Sequence, residues 1–180
     1  MTTWQTVRDG LLAATPVAPL ELGDVPETGV YAWWDLDGAL AAHYPEDFPA
    51  VHPERPLYIG LAERQGLASR GLKMHLKRTR VSGLRRSLSA LLRDELDLAP
   101  SVLPARGGMF GLAVDVEPRL TEWMLGHLLV TWVVHEAPGQ VEPEIIADEL
   151  PPLNYDHATR GPYAARMRLL RADLRTAGVT

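Results

Sequence analysis

The run Gly29-Val-Tyr-Ala-Trp-Trp34 has little choice of conformation. Successive β-branched and aromatic side chains crowd a helix and pack well on a pleated surface. The run is closed by Asp35-Leu-Asp-Gly38, which reads as a turn. A second strand of the same kind, Leu57-Tyr-Ile-Gly-Leu61, follows a proline-rich stretch, Ala39 to Pro56, that reads as a loop with at most one helical turn. Met109 to Val116 and Val130 to His135 read as two more strands. All are short. The longest apolar stretch, Leu128 to Val134, contains Thr131 and ends at His135, far below the roughly 20 residues needed to cross a bilayer. The chain is therefore expected to build a small sheet and to have no membrane span.

Helical patterns lie between these strands. Trp4 to Ala14 reads as a short amphipathic helix, followed by an extended connector marked by Pro16, Pro19 and Pro26. Leu67 to Arg78 places Leu72 and Leu76 on one side and Lys73 and Lys77 on another. Gly83 opens a helix whose apolar stripe is Leu84, Leu88, Leu91, Leu92 and Leu96. Pro100 to Gly108 reads as a loop, and Pro118 starts a helix through Leu128. Val141 to Leu150 is a short helix stopped by Pro151-Pro152, and Pro162 to Ala177 is the last helix. This order predicts an α/β or α+β fold, with a small central mixed or antiparallel sheet of about three strands flanked by helices. Residues 1–180 are expected to form a single domain: an N-terminal helix and connector over 1–25, a core over 26–154 and a helical extension over 155–180.

Composition removes several kinds of chemistry. There is no cysteine, so disulfides, thiolate zinc sites and cysteine nucleophiles are excluded. The N-terminal residues show no basic region leading into an apolar run, so a cytoplasmic protein is expected. The formal net charge of −5 argues against a protein that binds nucleic acid over its whole surface. The charge is unevenly spread, however. From Gln65 to Arg86 the chain carries Arg70, Lys73, Lys77, Arg78, Arg80, Arg85 and Arg86 and no acidic residue. Such a run can form a local patch for a phosphate backbone.

Both leading strands carry a tyrosine beside a glycine: Gly29-Val30-Tyr31 and Tyr58-Ile59-Gly60. On neighbouring strands the two phenols can share a face, where they can hold or deprotonate a water, and the glycines leave room for backbone or substrate. These two triplets, followed by Arg70, His75-Leu76, then Glu142-x-x-Ile145-Ile146 and Pro151-Pro152-Leu153-Asn154, resemble in order and approximate spacing the GIY-YIG nuclease family. The run Ser82-Gly83-Leu84-Arg85-Arg86-Ser87-Leu88 also resembles bacterial proteins of that family of this size. The resemblance spans about Pro26 to Asn154.

The resemblance implies a metal-dependent endonuclease with Tyr31, Tyr58, Arg70, His75, Glu142 and Asn154 as catalytic residues. Glu142 would hold Mg²⁺ or Mn²⁺, a hard ion suited to carboxylate and water oxygens. Arg70 would stabilise phosphoryl charge, and the amide of Asn154 would hold a site tyrosine or the glutamate. Lys73, Lys77, Arg78, Arg80, Arg85 and Arg86 are the candidate nucleic-acid contacts. Tyr155 and His157 follow closely enough to line the same cleft, whereas Asp148 and Glu149 read as plain solvated charges. The expected partner is a nucleic acid, DNA before RNA, with a protein partner as one source of specificity. In one respect the chain departs from the family: His75 follows Arg70 by five residues rather than by one helical turn. On an ideal helix that leaves the side chains about 140° apart. Arg70 is therefore expected at the helix entry, with Lys73 as the alternative cation. The rival reading is a non-cleaving nucleic-acid-binding module, or an enzyme of small polar metabolites, on the same scaffold.

Overall fold

A computed structural model describes residues 3–64, 66–68, 73–103, 109–155 and 161–177. Its centre is a three-stranded antiparallel sheet made of β1 (Gly29–Trp34), β2 (Tyr58–Ala62) and β5 (Leu129–Val134). The order is β2-β1-β5, so the first aromatic run is the central strand. It is buried along its whole length, as a mostly apolar run without strict alternation must be. A separate hairpin pairs β3 (Pro100–Leu103) with β4 (Met109–Leu112). The α+β architecture expected from the sequence is the one observed.

Among the described residues, five α-helices surround the sheet: α1 (Trp4–Ala13), α2 (Gly83–Leu91), α3 (Glu117–His127), α4 (Glu142–Glu149) and α5 (Pro162–Ala177). Their ends follow local chemistry. The Thr3 hydroxyl oxygen caps α1 by accepting the Thr6 N–H, and Ser82 caps α2 by accepting the Arg85 N–H. Helix α4 ends at Leu150, which takes the left-handed conformation (φ 48°), and Pro151-Pro152 prevents continuation. Val7 and Leu11 in α1, Leu84, Leu88 and Leu91 in α2, and Leu120, Trp123 and Met124 in α3 are buried at helical spacing.

Strand alternation divides the core. Tyr31, Trp33, Tyr58, Val130 and Trp132 face α2, α3 and α5. Val30, Ala32, Trp34 and Ile59 face α1 and α4, against Val7, Leu11, Val141, Ile145 and Ile146. The free edge of β2 is covered by the segment after α4: the Leu153 N–H donates to Leu57 O at 3.0 Å, and the Asn154 side chain brackets Ile59. An edge closed in this way cannot recruit another strand.

Three expectations change. Pro100 to Gly108 reads as loop, yet Pro100–Leu103 pairs with Met109–Leu112; proline is tolerated as the first residue of a strand, where its missing N–H costs no ladder bond. The strand expected over Met109 to Val116 stops at Leu112, and residues 114–116 turn into α3. The helix expected from Leu67 through Arg78 does not run its full length: residues 74–77 are turns and Arg78 is extended. There Thr79 gives its N–H and hydroxyl to the Glu117 carboxylate, both at 2.8 Å, which pulls the chain out of helical register. Residues 69–72, Arg70 among them, lie outside the described part of the chain.

Candidate active site

The two tyrosines do share a face. In the β1–β2 register Tyr31 is opposite Gly60 and Trp33 is opposite Tyr58. A Cβ on Gly60 would sit 2.5 Å from Tyr31 Oη and 2.7 Å from Cζ, so the phenol lies flat across the glycine. Gly60 is therefore required by close approach, and any side chain there would displace the ring. A Cβ on Gly83, the first residue of α2, would come within 3.3 Å of Tyr58 Oη. Each phenol is thus seated against a glycine.

His75 is the buried link between them. It is 1% exposed and stands edge-on to three rings, with centroid distances of 5.5 Å to Tyr31, 5.5 Å to Tyr58 and 5.9 Å to Trp33. Its Nε2 is 2.7 Å from Tyr31 Oη, and its Nδ1 is 2.6 Å from Ser82 Oγ. The turn at 74–77, rather than a helix, delivers the imidazole to this position.

Glu142 opens α4, whose Ile145 and Ile146 are buried on the opposite side of the sheet. Because Glu142 is the first helical residue, it lies beyond that packing and reaches past the edge strand β2 into a cleft of about 430 Å³. Tyr31, Tyr58, Gly60, Arg86, Glu142 and Asn154 all line this cleft. The carboxylate is buried and sits at a helix N-terminus, where the backbone dipole favours negative charge. Asn154 does not reach across to a tyrosine side chain. Its Oδ1 accepts the Ile59 N–H at 2.8 Å and its Nδ2 donates to Ile59 O at 2.7 Å, which fixes the backbone next to Tyr58.

The basic run is split by the fold. Lys73, Lys77 and Arg78 are exposed, and Lys77, Arg78 and Arg80 line a second groove of about 750 Å³ beside α3 and β4. Arg86 lines the tyrosine-bearing cleft instead. Its Nη1 donates to Arg80 O at 3.2 Å, while its buried Nε has no acceptor among the described residues. Arg85 corrects the sequence reading, because it is fully buried and cannot meet a nucleic acid. Its Nη2 donates to the Glu117 carboxylate at 2.6 Å, its Nη1 to Thr121 Oγ1 at 2.9 Å and to His75 O at 3.1 Å, and its Nε to Thr79 Oγ1 at 3.1 Å. Burial pushes its pKa below the ordinary arginine value, and the Glu117 charge acts against that shift. Arg85 braces the His75 segment from behind.

Of the two residues read as solvated charges, Asp148 is exposed, whereas Glu149 is half-buried. The Asp148 carboxylate pairs with Arg8, and Glu149 lies 4.0 Å from the same guanidinium. Burial pushes the Glu149 carboxyl above its ordinary pKa. Tyr155 lines the cleft, with the Arg171 guanidinium 3.6 Å over its ring. His157 lies outside the described residues. Trp33, Trp34 and Trp123 are buried as expected of core residues, and Trp132 is half-buried.

Sequence reasoning gave no role to Ser82 or Ser87. Ser82 joins His75 to the α2 cap, and Ser87 Oγ donates to Leu153 O at 3.1 Å, tying α2 to the segment that carries Asn154. The signal was present in the Ser82–Leu88 run, which stood out as a pattern, but its meaning depends on where His75 and Leu153 arrive.

The donor set bears on a metal. Among the described residues no group of three or more His, Asp and Glu side chains gathers as a cage. Among the described residues that line the cleft, Glu142 supplies the one carboxylate. That fits one hydrated divalent ion completed by water and substrate oxygens, and does not fit a zinc site.

Among the described residues no helix is long and apolar enough to cross a membrane. No curated protein and no solved structure matches this chain. The family model of the GIY-YIG catalytic domain does match, over residues 29–173. The match begins at the glycine that starts β1, takes in every cleft residue described above and ends within α5. The chain belongs to the GIY-YIG family, whose members are generally endonucleases.

Proposed function

We propose that this protein is a divalent-metal-dependent endonuclease that hydrolyses a nucleic-acid phosphodiester, DNA before RNA, in the cleft between β2, α2 and the start of α4. One observation carries this reading: Tyr31, Tyr58, Glu142 and Asn154, from four separate stretches of chain, line a single cleft with His75 behind it.

Water is the nucleophile. The phenolate oxygen of Tyr31 or Tyr58 takes its proton and becomes the phenol, the resulting hydroxide attacks phosphorus in line, and the P–O bond on the far side breaks. The departing alkoxide picks up a proton from solvent. Glu142 would hold a hydrated Mg²⁺ or Mn²⁺, which would supply Lewis-acid charge to the phosphodiester. Arg86, whose buried Nε has no acceptor among the described residues, is a cation for a non-bridging phosphoryl oxygen, as is Arg70. Lys77, Arg78 and Arg80 supply backbone contacts away from the scissile bond. Asn154 acts through the backbone of Ile59 by keeping Tyr58 in place.

The deciding experiment is cleavage of plasmid and single-stranded substrates with Mg²⁺ or Mn²⁺, against EDTA. Metal-dependent cutting that disappears in Glu142→Gln supports the proposal. Steeply salt-dependent binding without cutting replaces it with the binding-module reading.

A further inference from the structure

We infer that Ser82 is a positioning residue that fixes His75 in the tautomer with its hydrogen on Nε2, so that the imidazole is a standing hydrogen-bond donor to the Tyr31 phenol oxygen. The inference deepens the nuclease reading and rests on it for its catalytic meaning, but not for its geometry.

The hydrogens available at Ser82 decide the tautomer. A serine hydroxyl has one hydrogen and two lone pairs. Ser82 is 1% exposed, and its Oγ has two partners: the Arg85 N–H at 3.0 Å and His75 Nδ1 at 2.6 Å. The first of these always donates and takes one lone pair. If Nδ1 also carried a hydrogen, both lone pairs would be accepting, and the hydroxyl hydrogen would be buried without an acceptor among the described residues. Leaving a buried donor unmade is costly. If Nδ1 is bare, the hydroxyl donates to it and every polar hydrogen at the serine is satisfied. The neutral imidazole then carries its hydrogen on Nε2, 2.7 Å from Tyr31 Oη. A backbone requirement of α2, the capping of its Arg85 N–H, thereby sets the direction of a hydrogen bond at the other end of the imidazole.

Two consequences follow for the reaction. A donor held against the phenol oxygen favours the form of Tyr31 that accepts a proton from water. His75 cannot itself take that proton, because Nε2 is already protonated and Nδ1 is engaged by Ser82. Tyr31 rather than Tyr58 is then the proton acceptor, and His75 supports it without relaying. Tyr58 meets the His75 ring edge-on, with 5.5 Å between centroids.

The test is a ¹⁵N–¹H correlation spectrum of the full-length protein labelled at its histidines, recorded where neutral imidazole dominates. The His75 signals are identified by their loss in His75→Gln. The expected pattern is a bare, pyridine-like Nδ1 and a protonated Nε2; hydrogen on Nδ1 overturns the inference. The kinetic arm compares Ser82→Ala with Ser82→Thr under saturating Mg²⁺. The alanine variant should lose about tenfold or more in kcat with KM nearly unchanged. Threonine keeps the hydroxyl and the cap and should restore most of the rate. Full kcat in Ser82→Ala also overturns it. The spectrum needs no substrate, so a wild type that never cuts removes the nuclease reading and still leaves the tautomer decided by its own measurement.

Discussion

The two faces of the central sheet are built on opposite principles. Towards α1 and α4, Val30, Ala32 and Ile59 meet Val7, Leu11, Ile145 and Ile146, and a buried polar contact in that layer is the Trp34 Nε1–H donating to Thr131 Oγ1 at 2.9 Å. Towards α2 and α3, the same strands bury His75, Thr79, Ser82, Arg85 and Ser87 among their apolar neighbours. Apolar burial contributes about 25 cal/mol per Å² and needs no particular geometry. A buried polar chain contributes little net stability, because each bond replaces one to water, but it holds its atoms within narrow limits. One face is built for stability and the other for placement. Helix α4 belongs to both, since its isoleucines pack into the dry layer while Glu142 faces the cleft.

The largest effect should come from the residue where the two faces meet. Glu142→Gln keeps shape and helix position and removes the charge. Cleavage should fall by about a thousandfold or more, the equivalent of several kcal/mol of transition-state stabilisation. The melting temperature should stay within a few degrees of wild type. Near wild-type cleavage would remove Glu142 from the chemistry.

Next in size is a variant that tests whether the polar face also carries stability. Glu117→Ala strips the carboxylate from Arg85, which then has a buried charge with only neutral partners. Removing one partner of such a pair costs about 3–5 kcal/mol. Urea unfolding should show a lower midpoint with unchanged slope. A loss below about 1 kcal/mol would mean that the guanidinium finds water, and the contrast between the faces would weaken. On the dry face, Ile145→Ala should cost about 2–5 kcal/mol through lost burial and a cavity. At a temperature where the variant is folded, its kcat should match wild type. A kcat loss without a stability loss would show that the dry face helps to place Glu142.

How much of this was legible beforehand follows the same division. The dry face could be read from periodicity, because β-branched strands and Ile145-Ile146 on a short helix announce their burial by type and spacing. The convergence of Tyr31, Tyr58, Glu142 and Asn154 was legible through ordered motifs, although the atoms that Asn154 holds were not. Arg85 could not be read: in a run of cations nothing local distinguishes the one that turns inward, and Glu117, its partner, is 32 residues away. Ser82 was hidden for a related reason, since its capping role is local whereas its contact with His75 depends on a turn where the sequence suggested helix. The strand at Pro100–Leu103 was missed because proline argued for a loop while the pairing with β4 decided otherwise.

The smallest predicted effect separates members of that basic run. Lys77 is exposed on the outer groove, away from the cleft residues. If it contacts a phosphate of the flanking nucleic acid, its value is mainly counterion release, which depends on salt and not on the reacting atoms. Lys77→Ala should then lower the slope of log affinity against log salt by about 0.7–0.9 and weaken binding several-fold near physiological salt. kcat at saturating substrate should not change. Arg86→Ala provides the contrast, because Arg86 lines the same cleft as Glu142. Its loss should lower kcat and leave most of the salt slope intact. If the two variants behave alike, the outer groove and the cleft form one continuous binding surface. A slope untouched by Lys77→Ala would confine nucleic-acid contact to the cleft, leaving the exposed cations of the outer groove as solvated charge.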